Sequence, residues 1–263
     1  MIHEARALKG ATIHASDGEI GSVSDLLFDD QRWVTRYLVV DTGGWLSGRL
    51  VLITPIAVRH VGWDERSVAV ALTREQVRNS PDIASDLPVS RQKELEYFRY
   101  YGYPPYWIGS GLWGAAMAPS ALSWPAMAPV PPPPEPEHGA AQPEAEGDPH
   151  LRSLSEVTSY TIQARDGAIG SVSDVLLDDQ TWALRYLLID TGGWLSGRTV
   201  LLAPHWVSAV SWEGRSVAVD LPRDVIAQAP GYDPTQPLSR DYEARLHAYY
   251  RQPAYWEQEA GAA

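Results

Sequence analysis

The sequence has no cysteine and only two phenylalanines in 263 residues. Without cysteine there is no disulfide, no thiolate nucleophile, and no zinc or iron–sulfur centre built on sulfur. Basic residues are also scarce: 21 Lys and Arg face 33 Asp and Glu, a net charge of −12. Affinity for nucleic acid rests on clustered Lys and Arg, so no nucleic-acid partner is expected. Long apolar runs are missing too. The opening MIHEARALKGATIH lacks the apolar stretch of ~7–15 residues that marks a secretory signal. Residues 100–134 carry no charge, and their strongly apolar residues are Ile108, Leu112, Leu122 and Val130. Pro119, Pro125 and Pro129 interrupt any helix there before the ~20 residues a span needs, so no membrane span is expected.

What is present is an ordinary globular composition, 44% hydrophobic and 21% charged, enough for one large domain or two small ones. The charge is unevenly placed. Residues 1–107 hold 12 bases and 14 acids, residues 108–150 no base and five acids, and residues 151–263 nine bases and 14 acids. The middle stretch is acidic and rich in Pro, Ala and Gly. It is expected to link two domains, with residues 109–150 extended and mobile.

An internal repeat explains the two flanks. Displaced by 149 residues the chain falls on itself without a gap, with 51 identities in the 96 positions that join 12–107 to 161–256. DGEIGSVSDLLFDDQRW at 17–33 meets DGAIGSVSDVLLDDQTW at 166–182, and DTGGWLSGR at 41–49 recurs unchanged at 190–198. The chain therefore divides into a first copy (1–107), a linker (108–150) and a second copy (151–263). Because a two-fold interface uses the same patch on both halves, the duplication is expected to be a fused dimer, the copies pairing within one chain.

Strand signals dominate each copy. Thr12–Ala15 and Ile20–Phe28 flank an Asp-Gly turn, and the irregular alternation of the latter predicts a bulge. Trp33–Asp41, Arg49–Thr54, Val58–Trp63 and Ser67–Leu72 follow. Thr73 and Gln76 have the spacing of a capping box, and Ser90 and Ser239 each precede a further helix. The fold class is mainly β: two small antiparallel β-barrels, each with short C-terminal helices and joined by the Pro-rich linker.

Gly-x-x-Ile-Gly-x-Val-x-Asp-Leu-Leu-x-Asp at 18–30, followed by Trp-x-x-Arg-Tyr-Leu-Val-Val-Asp at 33–41, resembles the PRC-barrel domain. The likeness covers 12–72 and 161–221. The family includes the cytoplasmic domain of the photosynthetic reaction-centre H subunit and the C-terminal domain of a ribosome-maturation factor. The resemblance therefore implies three roles: a protein–protein adaptor in the bacterial cytoplasm, a peripheral component of a photosynthetic or other electron-transfer membrane complex, or a ribosome-assembly factor. The adaptor is the expected one, its protein partner unidentified.

Signals for catalysis are weak. None of the seven histidines recurs in the other copy, and none has i, i+4 spacing to another ligand, so no metal and no cofactor is expected. Asp17, Asp29 and Asp30 stand where hairpins need turn formers. Ser47 and Ser196 lack the context of a nucleophile elbow. The chain is expected not to be an enzyme. Arg36 and its copy Arg185 lie in very apolar strands and need buried partners. Asp25 and Asp41 are the candidates for Arg36, and Asp174 and Asp190 for Arg185. Trp45, Leu46 and Arg49, with Trp194, Leu195 and Arg198, lie in a glycine-flanked loop where a core role is hard to arrange, and are expected to touch a partner. The Tyr- and Trp-rich tails at 97–107 and 249–256 either cover their own barrel or form a docking surface.

Overall fold

The computed structural model describes residues 1–82, 89–123, 150–192 and 198–257. They form two compact units: Met1, His3–Glu156 and Asp178–Leu184 in the first, and Ile2, Val157–Leu177 and Arg185–Ala263 in the second.

After a short strand β1 (Ile2–Glu4) the first unit runs β2 (Thr12–Ala15), β3 (Gly18–Asp29), β4 (Val34–Asp41), β5 (Leu50–Ile53), β6 (Val58–Gly62) and β7 (Ser67–Val70). Helices α1 (Arg74–Arg78) and α2 (Arg91–Tyr101) follow. The strand order is β5-β4-β3-β2-β7-β6, and β8 (Leu151–Ser153) adds to β3. The mainly β fold expected from the sequence is present, its pairings antiparallel but for one and its ladder not closed. β2 and β7 pair in parallel, and β5 and β6 end the ladder without pairing with each other. A cause lies between them: Pro55, which has no N–H, starts a buried 3-10 turn over Pro55–Ala57 that lifts the chain out of the ladder.

The local signals hold. The register of β3 slips against β4 between Val23 and Asp25 and again between Leu27 and Phe28. It also slips against β2. Gly21 sits at that second crossing with φ +140°, and a Cβ there would stand 2.0 Å from the Asp41 carbonyl oxygen. Only glycine lets β3 and the end of β4 approach so closely. Thr73 caps α1 in a full capping box with Gln76, and Ser90 caps α2.

Residues 109–123 are folded, contrary to the mobile linker expected there. Trp113 is 1% exposed and its Nε1 donates to the Thr181 carbonyl at 2.7 Å. Pro119–Leu122 forms a 3-10 turn. Arg32 and Arg36 hold this stretch down by its carbonyls, donating to Gly111 (2.8 Å) and Leu112 (2.7 Å). Residues 124–149, with Trp124, lie outside the described residues.

The second unit repeats the plan. After α3 (Leu154–Val157) come β9 (Thr161–Ala164), β10 (Gly167–Asp178), β11 (Leu184–Asp190), β12 (Thr199–Leu202), β13 (Val207–Ser211) and β14 (Ser216–Val219). They are ordered β12-β11-β10-β9-β14-β13, with β9 and β14 parallel. Helices α4 (Arg223–Ala227) and α5 (Arg240–Tyr250) end the unit, α5 capped by Ser239. Gly170 reproduces Gly21, its Cβ position 2.1 Å from the Asp190 carbonyl. Among the described residues no helix is long and apolar enough to cross a membrane.

Candidate functional site

Two clusters of the first unit gather the residues that carry chemistry, one on the surface and one buried. The surface cluster is built on the 3-10 helix Gly43–Leu46, which ends in left-handed backbone at Ser47 and Gly48. Trp45 is half-buried and its Nε1 donates to the Ile20 carbonyl at 2.6 Å. Arg74 and Arg78, one turn apart on α1, both lie over its ring, at 4.6 and 5.6 Å. An indole fixed by its N–H and flanked by two guanidinium groups presents an aromatic surface edged with positive charge. Leu46 beside it is half-buried.

Arg49, the third residue expected to touch a partner, is half-buried and engaged within its own unit. Its Nη1 donates to the Arg78 carbonyl at 3.1 Å and its Nη2 to the Ser80 carbonyl at 2.7 Å. Arg198 does the same to Ala227 and Ala229. The carbonyls at a helix C-terminus lack intrahelical partners and carry partial negative charge, which draws the guanidinium inward. Trp194 and Leu195 lie outside the described residues.

The buried cluster centres on Glu94 of α2, which is 0% exposed. Its Oε1 accepts from the hydroxyls of Tyr37 (2.7 Å) and Tyr106 (2.9 Å), and its Oε2 from Arg91 (3.0 Å). The Arg36 guanidinium stacks on Tyr106 at 3.9 Å and faces Trp113 at 4.9 Å. Arg36 is itself 0% exposed, and its carboxylate partner is Asp29, 2.9 Å away. This corrects the expected pairing with Asp25 or Asp41. Asp41 stands five residues from Arg36 on β4, an odd separation that puts the two on opposite faces of the strand. Asp25 sits across from Val39, on that other face again. Asp25 binds Ser153 and Ser155 instead, and Asp41 accepts the Gly43 amide. Burial pulls the Arg36 guanidinium below its ordinary pKa, with Asp29 opposing the shift. Tyr37 is pushed well above the usual tyrosine range, by burial first and by Glu94 second.

The second unit carries the same cluster. Glu243, buried on α5, accepts from Tyr186 (3.0 Å) and Tyr255 (3.1 Å), with Arg240 at 3.3 Å. Arg185 stacks on Tyr255 at 3.9 Å. Asp174 is buried with its Oδ1 on the Val175 amide, and Asp190 accepts the Gly192 amide as Asp41 does in the first copy. The aromatic tails thus cover their own units: Tyr97, Phe98 and Tyr106 in the first, Tyr250 in the second.

Glu94, Tyr106 and Tyr37 were missed by reasoning on residue type alone, although a signal exists. Between residues 90 and 107 eight of 18 positions are identical in the two copies, and Arg91, Glu94, Tyr106 and Trp107, which recur as Arg240, Glu243, Tyr255 and Trp256, are among them. The residues of the buried network are among the positions that recur in this tail.

Among curated proteins none matches the chain. The family model of the PRC-barrel domain matches residues 2–69 and 150–226, together more than half of the chain and one region in each copy. With two such regions, each folded into the same order of strands, this chain belongs to the PRC-barrel domain family.

Proposed function

We propose that this protein is a non-catalytic binding module of the bacterial cytoplasm, and that its first copy offers Trp45, with Arg74 and Arg78, to an acidic surface of a protein partner. The observation that carries this reading is the indole held in place by its bond to Ile20 while two cations flank it. On a chain of net charge −12, such a cluster attracts an acidic partner where the rest of the surface repels it. Trp and Arg are also the residues that most often dominate binding energy at interfaces. The buried acids support a structural role for the second cluster, since Glu94 and Asp29 bind groups of their own unit.

The test uses the full chain as bait in bacterial extract beside a variant with Trp45→Ala and Arg78→Ala, with bound proteins quantified by mass spectrometry. The expected result is an acidic protein retained by the natural sequence, depleted at least tenfold on the variant, and released by raised salt. If no protein distinguishes the two baits while both remain folded, the contact reading is wrong.

A further inference from the structure

Among the positions at which the two buried clusters differ, one concerns a proton. Phe98 in the first copy is His247 in the second. His247 is buried on α5, its Nδ1 3.0 Å from the Pro253 carbonyl and its Nε2 2.9 Å from the Tyr186 hydroxyl. That hydroxyl also lies 3.0 Å from Glu243 Oε1.

Counting hydrogens along this chain leaves little freedom. The Pro253 carbonyl only accepts, so Nδ1 must carry a hydrogen. Tyr186 has a single proton for two neighbours. If it goes to Glu243, Nε2 needs a hydrogen of its own, and the ring is an imidazolium. If it goes to Nε2, Glu243 Oε1 must be protonated to bond the Tyr186 oxygen. Tyr255 cannot substitute, since its hydroxyl accepts from Arg240 at 3.2 Å and gives its own proton to Glu243 at 3.1 Å. Each fully bonded arrangement contains one proton more than a neutral histidine beside a carboxylate. Without that proton, two lone pairs face each other about 3 Å apart in a buried site, an unsatisfied contact that destabilises the fold. In the first copy the conflict does not arise, because Tyr37 faces Glu94 alone and Phe98 asks for nothing.

We infer that Glu243, Tyr186 and His247 form a proton-binding site, holding one shared proton at neutral pH, that fastens α5 and the tail at 253–256 to β11 in the second copy only. The groups facing it are Glu243 and Arg240 on α5, Tyr186 and Arg185 on β11, His205 of the 3-10 turn Pro204–Trp206, and Tyr255 and Glu257 of the tail. Burial lowers His247 and raises Glu243 from their ordinary values, which brings the two proton affinities together; the shared proton is held against the burial of the ring by the hydrogen bonds that require it. A folded pair that keeps its proton after an unfolded histidine, near pKa ~6.5, has released it gains stability from it. That stability is complete below the unfolded value and is lost as the pH rises through the folded one.

The experiment is carried out on the full chain. The ring nitrogens of His247 are followed by NMR with labelled histidine, and the thermal transition is measured between about pH 6 and about pH 10, spanning the unfolded histidine value. His247→Phe, which copies the first unit, and Tyr186→Phe, which cuts the chain of bonds, are measured beside it. The expected ring transition lies above about pH 7, with Tm falling by roughly 2–4 °C per pH unit between about pH 6.5 and that transition and level above it in the natural sequence, and no such fall in either variant. A ring with no transition above about pH 6.5, or Tm profiles parallel in all three proteins, overturns the proposal. Should a variant fail to fold, the ring titration of the natural sequence decides alone.

Discussion

Arg36 Nη2 donates to Asp29 Oδ2 at 2.9 Å, while Oδ1 of the same carboxylate accepts the amides of Gln31 (2.9 Å) and Arg32 (3.3 Å). One side chain thus forms the turn between β3 and β4 and neutralises the buried cation of β4. Removing either partner strands the other. Arg36→Met is expected to destabilise the protein by about 3–5 kcal/mol in denaturant titration, and Asp29→Asn added to it to recover part of that loss. Additive losses would show that the two residues are not coupled.

Trp45 has an intermediate standing between core and surface. Trp45→Ala removes one hydrogen bond and two cation–π contacts, for an expected loss of roughly 1–2 kcal/mol. Trp113→Ala, at a fully buried position, is expected to cost about 3–5 kcal/mol. Equal losses for the two in thermal melts would place Trp45 in the core and remove it from the partner surface.

Gly21 tests the close approach of β3 to the end of β4. Gly21→Ala drives a methyl group into the Asp41 carbonyl in a backbone conformation that favours glycine, and is expected to cost about 2–4 kcal/mol. Gly44→Ala is the control, since nothing lies within 4 Å of its Cβ position. That change is expected to stay within about 0.5 kcal/mol by the same measurement.

A fragment ending at residue 107 lacks three parts of the first unit: Trp113, β8 and Asp178–Leu184. It loses the strand beside β3, the cover over Arg36, and the bridge from Val34 to Ala183. An open strand edge invites pairing with another chain. The fragment is expected to self-associate at micromolar concentration in light scattering, or to melt well below the full chain. A monomer of unchanged Tm would show that residues 1–107 are a self-sufficient domain.

Local pattern accounts for much of this fold. Strand positions, the β3 bulge and the caps at Thr73, Ser90 and Ser239 depend on neighbours a few residues away, and period-2 alternation and capping chemistry expose them directly. The 149-residue repeat identified two copies of one fold, and the strand motif at 18–41 pointed to its family. Burial of Arg36 followed from a cation in an apolar strand, and so did its need for a carboxylate.

Which carboxylate answers Arg36, and what Glu94 does, were decided only by tertiary structure. The partner depends on strand parity across two bulges, and each bulge reverses the face on which later residues stand. Glu94 lies more than 50 residues from Tyr37, and nothing local to α2 distinguishes a saturated buried glutamate from a solvated one. The folding of 109–123 is likewise long-range: Trp113 and the carbonyls of Gly111 and Leu112 are held by Thr181, by Arg32 of the β3–β4 turn and by Arg36 of β4. Composition alone predicts mobility there because it contains no record of the arginines that wait across the fold. Short-range pattern sets which elements form. Which polar groups satisfy one another depends on the three-dimensional register, because a buried charge takes the partner that packing brings within about 3 Å.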